Sequence, residues 1–196
     1  MRSSLREVGS IMHKIPISGG PHTGKTTLFN ALRAEFADAY FLAEPASMVM
    51  DREMKKEQQT PGYAGIFPWN NYPGFARLVI DQSVELERSI PPSTDLVFQD
   101  RSLIDNIAYG RLLQYTELLP ELQGHIDSAQ YTCVLFCAPV GTYTQTEVRW
   151  ETSEEALRTH QFLAVAHDGC GVPVLHLPSV PTEERLALIR ATLAAV

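Results

Sequence analysis

The sequence predicts an α/β fold built on a parallel β-sheet with helices on both faces. Apolar runs and helical patterns alternate along the chain, which is the order expected of successive β-α-β units. Residues 96–98 and 134–136 are continuously apolar, as expected of strands that are covered on both faces. The length of 196 residues allows one such domain with a full core and leaves little room for a second.

Each predicted strand is a short apolar run, and helical patterns lie between these runs. The strand candidates are residues 14–18, 39–43, 95–100, 131–137 and 172–177. The helix candidates are residues 24–37, 73–89, 102–119, 153–167 and 182–195. The last helix has a clear start, because Thr182 after Pro181 is a cap residue and acids follow in its first turn. Pro16 lacks a ladder donor, so we expect the first strand to be short there or to contain a bulge.

Composition and charge exclude several classes of partner. The net charge of −7 argues against broad nucleic-acid binding, which needs a concentrated basic face. No apolar run approaches the roughly 20 residues needed to cross a bilayer, so no membrane partner is expected. The three cysteines form no even framework; buried reduced thiols in a cytoplasmic protein are favoured over a metal or redox site. We expect residues 1–13 to be a loose N-terminal arm, with Met12 as an alternative start.

The strongest motif is a glycine-rich loop. Residues 19–26 match G-x-x-x-x-G-K-[ST] at every fixed position, with an apolar strand before them and a helical pattern after them. Glycines let the backbone curl so that successive N–H groups face phosphates, and the helix N-terminus adds its positive dipole. The motif predicts binding of ATP with Mg²⁺. The residues assigned to the nucleotide are Gly20, His22, Thr23, Gly24, Lys25, Thr26 and Thr27.

Within this motif the side chains have separate roles. Lys25 is expected to reach the β- and γ-phosphates, and the Thr26 hydroxyl is expected to be a ligand of Mg²⁺. A second metal ligand is predicted at Asp100, which ends an apolar run and would face the phosphate loop from a neighbouring strand. The alternative is that Asp100 only caps the helix that starts near Ser102.

The residue after Asp100 favours phosphate transfer over hydrolysis. Hydrolytic ATPases commonly place a glutamate there to polarise water, whereas this chain has Arg101, a cation suited to binding phosphate or orienting an acceptor. No N-K-x-D guanine signature is present, which argues against a GTPase. Glu44, just after the second predicted strand, is the candidate base that takes the proton of an acceptor hydroxyl. Asp100 is a second candidate base, and the alternative for Glu44 is a surface residue in a turn.

These residues resemble a known family. Glu44-Pro45 together with Asp100-Arg101-Ser102 resembles the deoxynucleoside kinase pattern, in which the glutamate is the base and the arginine steadies the base and phosphates. The whole run, from residue 14 to about residue 190, is similar to the AAA-type ATPase/kinase-like P-loop family, which includes the nicotinamide riboside kinase domain. The matching pieces are GGPHTGKTT, Ala43-Glu44-Pro45-Ala46, residues 82–87, DRSLIDNIAYGRL and Arg149-Trp150-Glu151-Thr152.

The resemblance implies a P-loop NTPase fold, a three-layer sandwich whose five-stranded parallel sheet has the order 2-3-1-4-5. It implies one kinase-like domain over residues 14–196, with an acceptor-side region at about 45–90 and a lid at about 140–152. Arg149 would close from the lid over the phosphates, with a salt bridge to a nearby glutamate as the alternative. Asp105 would orient the Arg101 guanidinium or contact the acceptor, and a solvated helix acid is the equal alternative.

The acceptor side is the least certain part of the pattern. Residues 58–74 are dense in Gly, Pro, Asn and aromatic residues, and long ordered loops of this kind tend to be functional. Phe67, Trp69 and Tyr72 are candidates to stack a planar ring, or else they pack the loop onto the domain. Gln82 is a candidate to read a base or sugar edge.

The leading hypothesis is an ATP-dependent kinase that phosphorylates a hydroxyl group of a nucleoside-like or other ring-bearing metabolite. The alternative is a P-loop ATPase that acts as a nucleotide-dependent regulatory or partner-binding switch. The assembly state, including a homodimer, is left open by the sequence.

Overall fold

The computed structural model describes residues 12–140 and 152–194. In this part of the chain, five strands and seven helices alternate. The strands are β1 (His13–Ser18), β2 (Tyr40–Leu42), β3 (Leu96–Asp100), β4 (Val134–Cys137) and β5 (Val174–Leu177). The helices are α1 (Lys25–Glu35), α2 (Pro45–Gln59), α3 (Tyr72–Ser89), α4 (Leu103–Leu112), α5 (Leu119–Ala129), α6 (Ser153–Asp168) and α7 (Thr182–Leu193).

The strands form one parallel sheet in the order β2-β3-β1-β4-β5. Alternate residues of β4 point to opposite faces of this sheet. Val134 and Phe136 pack with α3, α4, α5 and α6, whereas Leu135 and Cys137 pack with α1 and α7. The predicted three-layer sandwich and its strand order are therefore confirmed. No helix in the described ranges is long and apolar enough to cross a bilayer.

The predicted helix over residues 102–119 is wrong, because α4 ends at Leu112 and a separate α5 begins at Leu119. The Tyr115 N–H folds back to donate to the Gly110 carbonyl at 2.7 Å, and Gln114 takes a left-handed φ of 57°. A Cβ on Gly110 would lie 2.8 Å from the Tyr115 carbonyl oxygen, so the close return of the chain depends on the glycine.

Neither expectation for Pro16 holds. Strand β1 keeps six residues and pairs with β3 in unbroken register from His13 to Ile17. The N–H of Lys14 points toward the β4 side, where it reaches Thr132 Oγ1 at 3.3 Å, and Pro16 lies two residues further on that same side. Pairing of β1 with β4 begins only at Ile17, so the missing donor of Pro16 falls just before that ladder starts.

The topology brings three strand ends to one edge of the sheet. In a parallel sheet the carboxyl ends lie together, and here Ile17 pairs with Asp100 while Leu42 pairs with Gln99. The glycine loop after β1, Glu44 after β2 and Arg101 after β3 therefore start from neighbouring positions. This edge is where α/β proteins with open sheets place their ligands.

Candidate active site

The glycine loop forms a tight turn between β1 and α1. Gly19 and Gly24 have φ values of 137° and 74°, which favour glycine, and His22 adopts φ 57° between them. A Cβ on Gly19 would lie 2.6 Å from the Cys137 carbonyl oxygen, so the loop is packed against the end of β4. Thr26 and Thr27 are exposed in the first turn of α1, where the helix presents free N–H groups and its positive end.

Lys25 is folded back onto its own loop. Its Nζ donates to the Gly20 carbonyl at 2.7 Å and to Thr23 Oγ1 at 3.2 Å. Burial, helped by the charge of Arg101, lowers the pKa of Lys25 to about 7. A nearby polyanion would favour the charged ammonium, so the empty loop holds a lysine whose full charge depends on a ligand.

The loop is braced from behind by two residues that the sequence did not single out. The Gly20 N–H donates to His160 Nδ1 at 3.1 Å, so this amide faces α6 rather than the open side of the loop. Arg185 of α7 is buried, and its guanidinium donates to the carbonyls of Thr23 at 2.6 Å and Ala138 at 3.1 Å. Neither brace belongs to a local motif, and only tertiary packing reveals them.

At the end of β3, Asp100 faces a crowded set of charges. Burial, with the charge of Glu44 as the next cause, raises the pKa of Asp100 to about 6, although Arg101 and Lys25 oppose the shift. An additional cation at this position would stabilise the carboxylate. Asp100 and the exposed Thr26 hydroxyl are both oxygen donors of the kind that Mg²⁺ accepts beside phosphates and water. The residues present therefore fit the predicted metal ion.

Arg101 connects the loop, the second strand end and α4. Its Nη1 donates to the Gly19 carbonyl and to Asp105 Oδ1, each at 3.0 Å, and its Nε lies 3.4 Å from Glu44 Oε1. The residue has φ 71°, a conformation that is costly for a non-glycine residue. A set of contacts this specific is what holds such a conformation.

Asp105 is a buried carboxylate rather than a solvated helix acid. It accepts hydrogen bonds from Ser18 Oγ at 2.7 Å, from Arg101, and from the Ser102 N–H and Oγ at 2.9 and 2.8 Å. Burial acts to raise the pKa of Asp105, but His167 and Arg101 outweigh it and hold the pKa well below its usual range. Asp105 thus orients the Arg101 guanidinium, as one of the sequence alternatives stated.

Glu44 is the residue before α2 and is about one third exposed. Its Oε2 accepts a hydrogen bond from Ser47 Oγ at 2.6 Å, and its Oε1 is the partner of Arg101. The carboxylate is therefore fixed at the strand edge with one side open, instead of lying in a surface turn.

A cavity of about 440 Å³ opens beside this carboxylate. Its walls come from α2, α3, α4, the loop before α3 and one residue of α6. The side chains that line it are Glu44, Pro45, Ala46, Met50, Pro68, Trp69, Tyr72, Phe75, Ala76, Val79, Ser83, Arg101, Ser102, Asp105, Asn106, Tyr109, Leu112, Leu113 and Thr159. A mostly apolar cavity with a few convergent polar groups is the usual form of a small-molecule site.

The structure separates the predicted acceptor residues. Trp69 and Tyr72 line the cavity, and Trp69 is 63% exposed. Phe67 is buried and stacks on Trp69 with 4.8 Å between ring centroids, so it supports the tryptophan from outside the lining. Gln82 also lies outside the lining, where its amide oxygen accepts a hydrogen bond from Arg52 at 3.0 Å. Arg149 lies outside the described residues.

The loop that carries Trp69 is tied down by a glutamate that the sequence analysis did not single out. Glu53 of α2 is buried, and its Oε2 accepts hydrogen bonds from the Tyr63 hydroxyl and from the Ile66 N–H. Asn70 adds a second tie, because it accepts from the Phe67 N–H at 2.8 Å and donates to the Gly65 carbonyl at 2.9 Å. A charged residue within a mixed-charge helix run carries no signal that it will be buried.

The glycine loop after β1 and the 2-3-1-4-5 sheet define a P-loop NTPase with the kinase-like arrangement of strands. A family model described as an AAA domain matches residues 14–185, and the chain belongs to this family. Among curated proteins no match to the sequence is found.

Solved structures of kinase-like proteins share the fold. NadR protein in complex with NR is 19% identical with a TM-score of 0.61, over 85% of this chain and 44% of the NadR chain. The chain thus spans less than half the length of NadR. Thymidylate kinase from Candida albicans is 11% identical with a TM-score of 0.63, over 94% of this chain and 92% of the enzyme. Thymidylate kinase from Ehrlichia chaffeensis is 14% identical with a TM-score of 0.62, over 94% and 99%.

Proposed function

We propose that this protein is an ATP-dependent small-molecule kinase, which transfers the γ-phosphate to a hydroxyl group of a nucleoside-like or other ring-bearing metabolite. One observation carries the proposal. Arg101 bonds the first residue of the phosphate loop, pairs with Glu44 and lines the cavity, so the phosphate site and the cavity share a wall. A phosphate held on the loop and a hydroxyl held in the cavity would meet at that wall.

On the nucleotide side, the loop N–H groups and the start of α1 bind the phosphates, and Lys25 leaves the Gly20 carbonyl to contact them. Thr26 and Asp100 are the protein ligands that would hold Mg²⁺. When bound, that ion bridges phosphate oxygens and neutralises their charge.

On the acceptor side, the cavity falls within the volume range of small-molecule sites, roughly 300–1,000 Å³. Trp69, Tyr72 and Tyr109 offer aromatic surface for a planar ring, while Glu44 and Asn106 offer polar contacts for hydroxyl groups. The aromatic lining supports an acceptor that contains a ring.

For the chemical step, Glu44 accepts the proton of the acceptor hydroxyl, with Asp100 as the other candidate for this role. Arg101 stays positively charged between the two sites and stabilises the charge that develops on the transferred group. Little covalent work falls to the protein, because phosphoryl transfer depends mainly on positioning and charge neutralisation. Arg149 from the lid is proposed as a further cation.

The similar structures support this proposal at the level of fold and class. Two of them are named as thymidylate kinases, and NadR was solved in complex with NR. Their low identity leaves the acceptor of this chain to be identified by experiment.

The test is acceptor-dependent release of ADP from Mg-ATP over a panel of nucleosides, including nicotinamide riboside, and hydroxylated antibiotics. We expect one acceptor class to raise ADP release well above the rate without acceptor. Slow hydrolysis that no acceptor accelerates would instead favour the ATPase switch.

Glu44→Gln tests the base directly. We expect transfer to fall by about 10²–10⁴-fold while ATP affinity stays at the wild-type value, because the lost group acts only on the acceptor proton. Glu184→Gln, an exposed glutamate in the first turn of α7, is the matched control. Wild-type transfer by Glu44→Gln would show that the base is assigned to the wrong residue.

A further inference from the structure

We propose that His167 is a positioning residue of this site, which acts through Asp105 to hold Arg101 between the phosphate loop and Glu44. The inference rests on the proposed kinase function, because it assigns how one of the charged groups of that site is kept in place. His167 has no part in the glycine motif, and it lies outside the residues that line the cavity.

His167 occupies the last turn of α6 and is fully buried. Its Nε2 lies 3.3 Å from Asp105 Oδ2, and its ring packs on Phe136 of β4 with 5.5 Å between ring centroids. An ionised carboxylate can only accept hydrogen bonds, so the imidazole nitrogen that faces it carries the proton. The imidazole therefore adds a donor to Asp105 from an element distant in sequence.

The surroundings of His167 are those of a hydrophobic core. Leu163, Ala166 and Phe136 belong to the cluster that packs α4, α5 and α6 on the sheet. An apolar ring would satisfy such a place at lower cost, because burying a polar imidazole requires desolvation. The polar ring points at one carboxylate, which indicates a task at that carboxylate.

Asp105 does not need His167 as a partner for folding alone. Ser102 already supplies two donors that cap α4, and Ser18 supplies a third from the end of β1. What His167 adds is a contact on Oδ2 from a third element, which fixes the carboxylate from the side of α6. The opposite oxygen, Oδ1, is the one that receives Arg101.

The conformation of Arg101 shows why such fixing is required. Its left-handed φ of 71° persists only if the surrounding contacts outweigh the strain. A carboxylate held by three elements gives the guanidinium a rigid anchor, with the Gly19 carbonyl and Glu44 as its other contacts. A looser Asp105 would let the guanidinium shift relative to both reacting sites.

Two substitutions separate positioning from packing. His167→Gln keeps a donor at about the place of Nε2, whereas His167→Phe keeps a ring on Phe136 and removes the donor. We expect the phenylalanine variant to lose about 10- to 100-fold in kcat, since small misplacements are costly in catalysis, with its KM for ATP near the wild-type value. His167→Gln should recover most of that kcat. His125→Phe, at a histidine that pairs with Glu121 on α5, is the matched control.

A double-mutant cycle with Arg101→Ala gives a readout that packing does not mimic. If His167 acts through Arg101, His167→Phe has no further effect on kcat once the guanidinium is absent. A loss that adds in full to that of Arg101→Ala, or a wild-type kcat for His167→Phe, would overturn the proposal.

Nitrogen-15 NMR of the wild-type imidazole needs neither a variant nor turnover. We expect His167 to carry a proton on Nε2, and a bare Nε2 would overturn the proposal even if His167→Phe does not fold. This result is independent of the kinase function: the tautomer can be right while no acceptor is phosphorylated, in which case only the function proposed above has failed.

Discussion

The phosphate loop and the acceptor cavity are built in opposite ways, although they share a wall at Arg101. The loop is one run of chain, residues 19–27, in which Lys25 and Thr23 bond to carbonyl and hydroxyl groups a few residues away. The cavity takes its walls from four helices and a loop that are far apart in the sequence. A contiguous site can be recognised as a motif, whereas an assembled site exists only in the folded chain.

The largest expected effect is in the loop. Lys25→Ala should reduce turnover by about 10²–10³-fold, because a preorganised charge at the transferred phosphate is lost. The fold should be kept, since Lys25 contacts only its own loop in this structure. Turnover and the circular dichroism spectrum would be measured together, with exposed Lys55→Ala as the control. Near wild-type turnover would show that the loop does not act as a P-loop.

An intermediate effect is expected on the cavity side. Glu53→Ala removes the acceptor of the Tyr63 and Ile66 hydrogen bonds, and leaving such buried groups unpaired costs about 1–3 kcal/mol of unfolding free energy. The KM for the acceptor should rise while the KM for ATP stays unchanged, because Glu53 holds only the loop of Trp69. Gln58→Ala, exposed on the same helix, is the control. Equal changes in both KM values would contradict the independence of the two regions.

The smallest effect, a pH dependence, distinguishes the charges on the nucleotide side. Lys25 has a pKa of about 7 in the empty loop, so it is mostly neutral above that pH, and bound phosphates would raise its pKa. ATP binding should then take up a proton near pH 8, and affinity should fall by at most about tenfold per pH unit above pH 7. Calorimetry in buffers with different heats of ionisation measures this uptake.

The lower limit comes from Asp100. Its pKa of about 6 means that the carboxylate is protonated as the pH falls through 6, so the contribution of Mg²⁺ to ATP binding should weaken there. Asp100→Asn should remove this lower limb, and Lys25→Ala should remove the upper one. An affinity that is flat from pH 5.5 to pH 8.5 would contradict both assignments.

Much of the fold was predictable because its signals are local. Continuous apolar runs marked strands β3 and β4, and the glycine motif placed β1 and α1 to within a residue or two. The helix over residues 102–119 was predicted wrongly because its end depends on a return of Tyr115 across Gly110, a contact that helix periodicity does not encode. Pro16 was misjudged because its effect depends on which neighbouring strand its missing donor faces.

The candidate site shows the same division. Lys25, Asp100, Arg101 and Glu44 could be nominated from motif position and strand ends, and the structure brings them to one edge of the sheet. Glu53, His160, His167 and Arg185 could not be nominated, because each is a polar residue in a helix whose partner lies far away in the sequence.

By itself, the sequence determined the phosphate loop, the alternation of strands and helices, and the residues that follow each strand. Those features depend on backbone freedom, apolar periodicity and chain order, all of which are properties of short segments. Only the tertiary structure decided that Asp105 is buried, that Trp69 and Tyr72 face a cavity while Phe67 and Gln82 do not, and that α6 reaches the site through His167. Burial and charge pairing depend on which distant segments pack together, so they are decided when the chain folds.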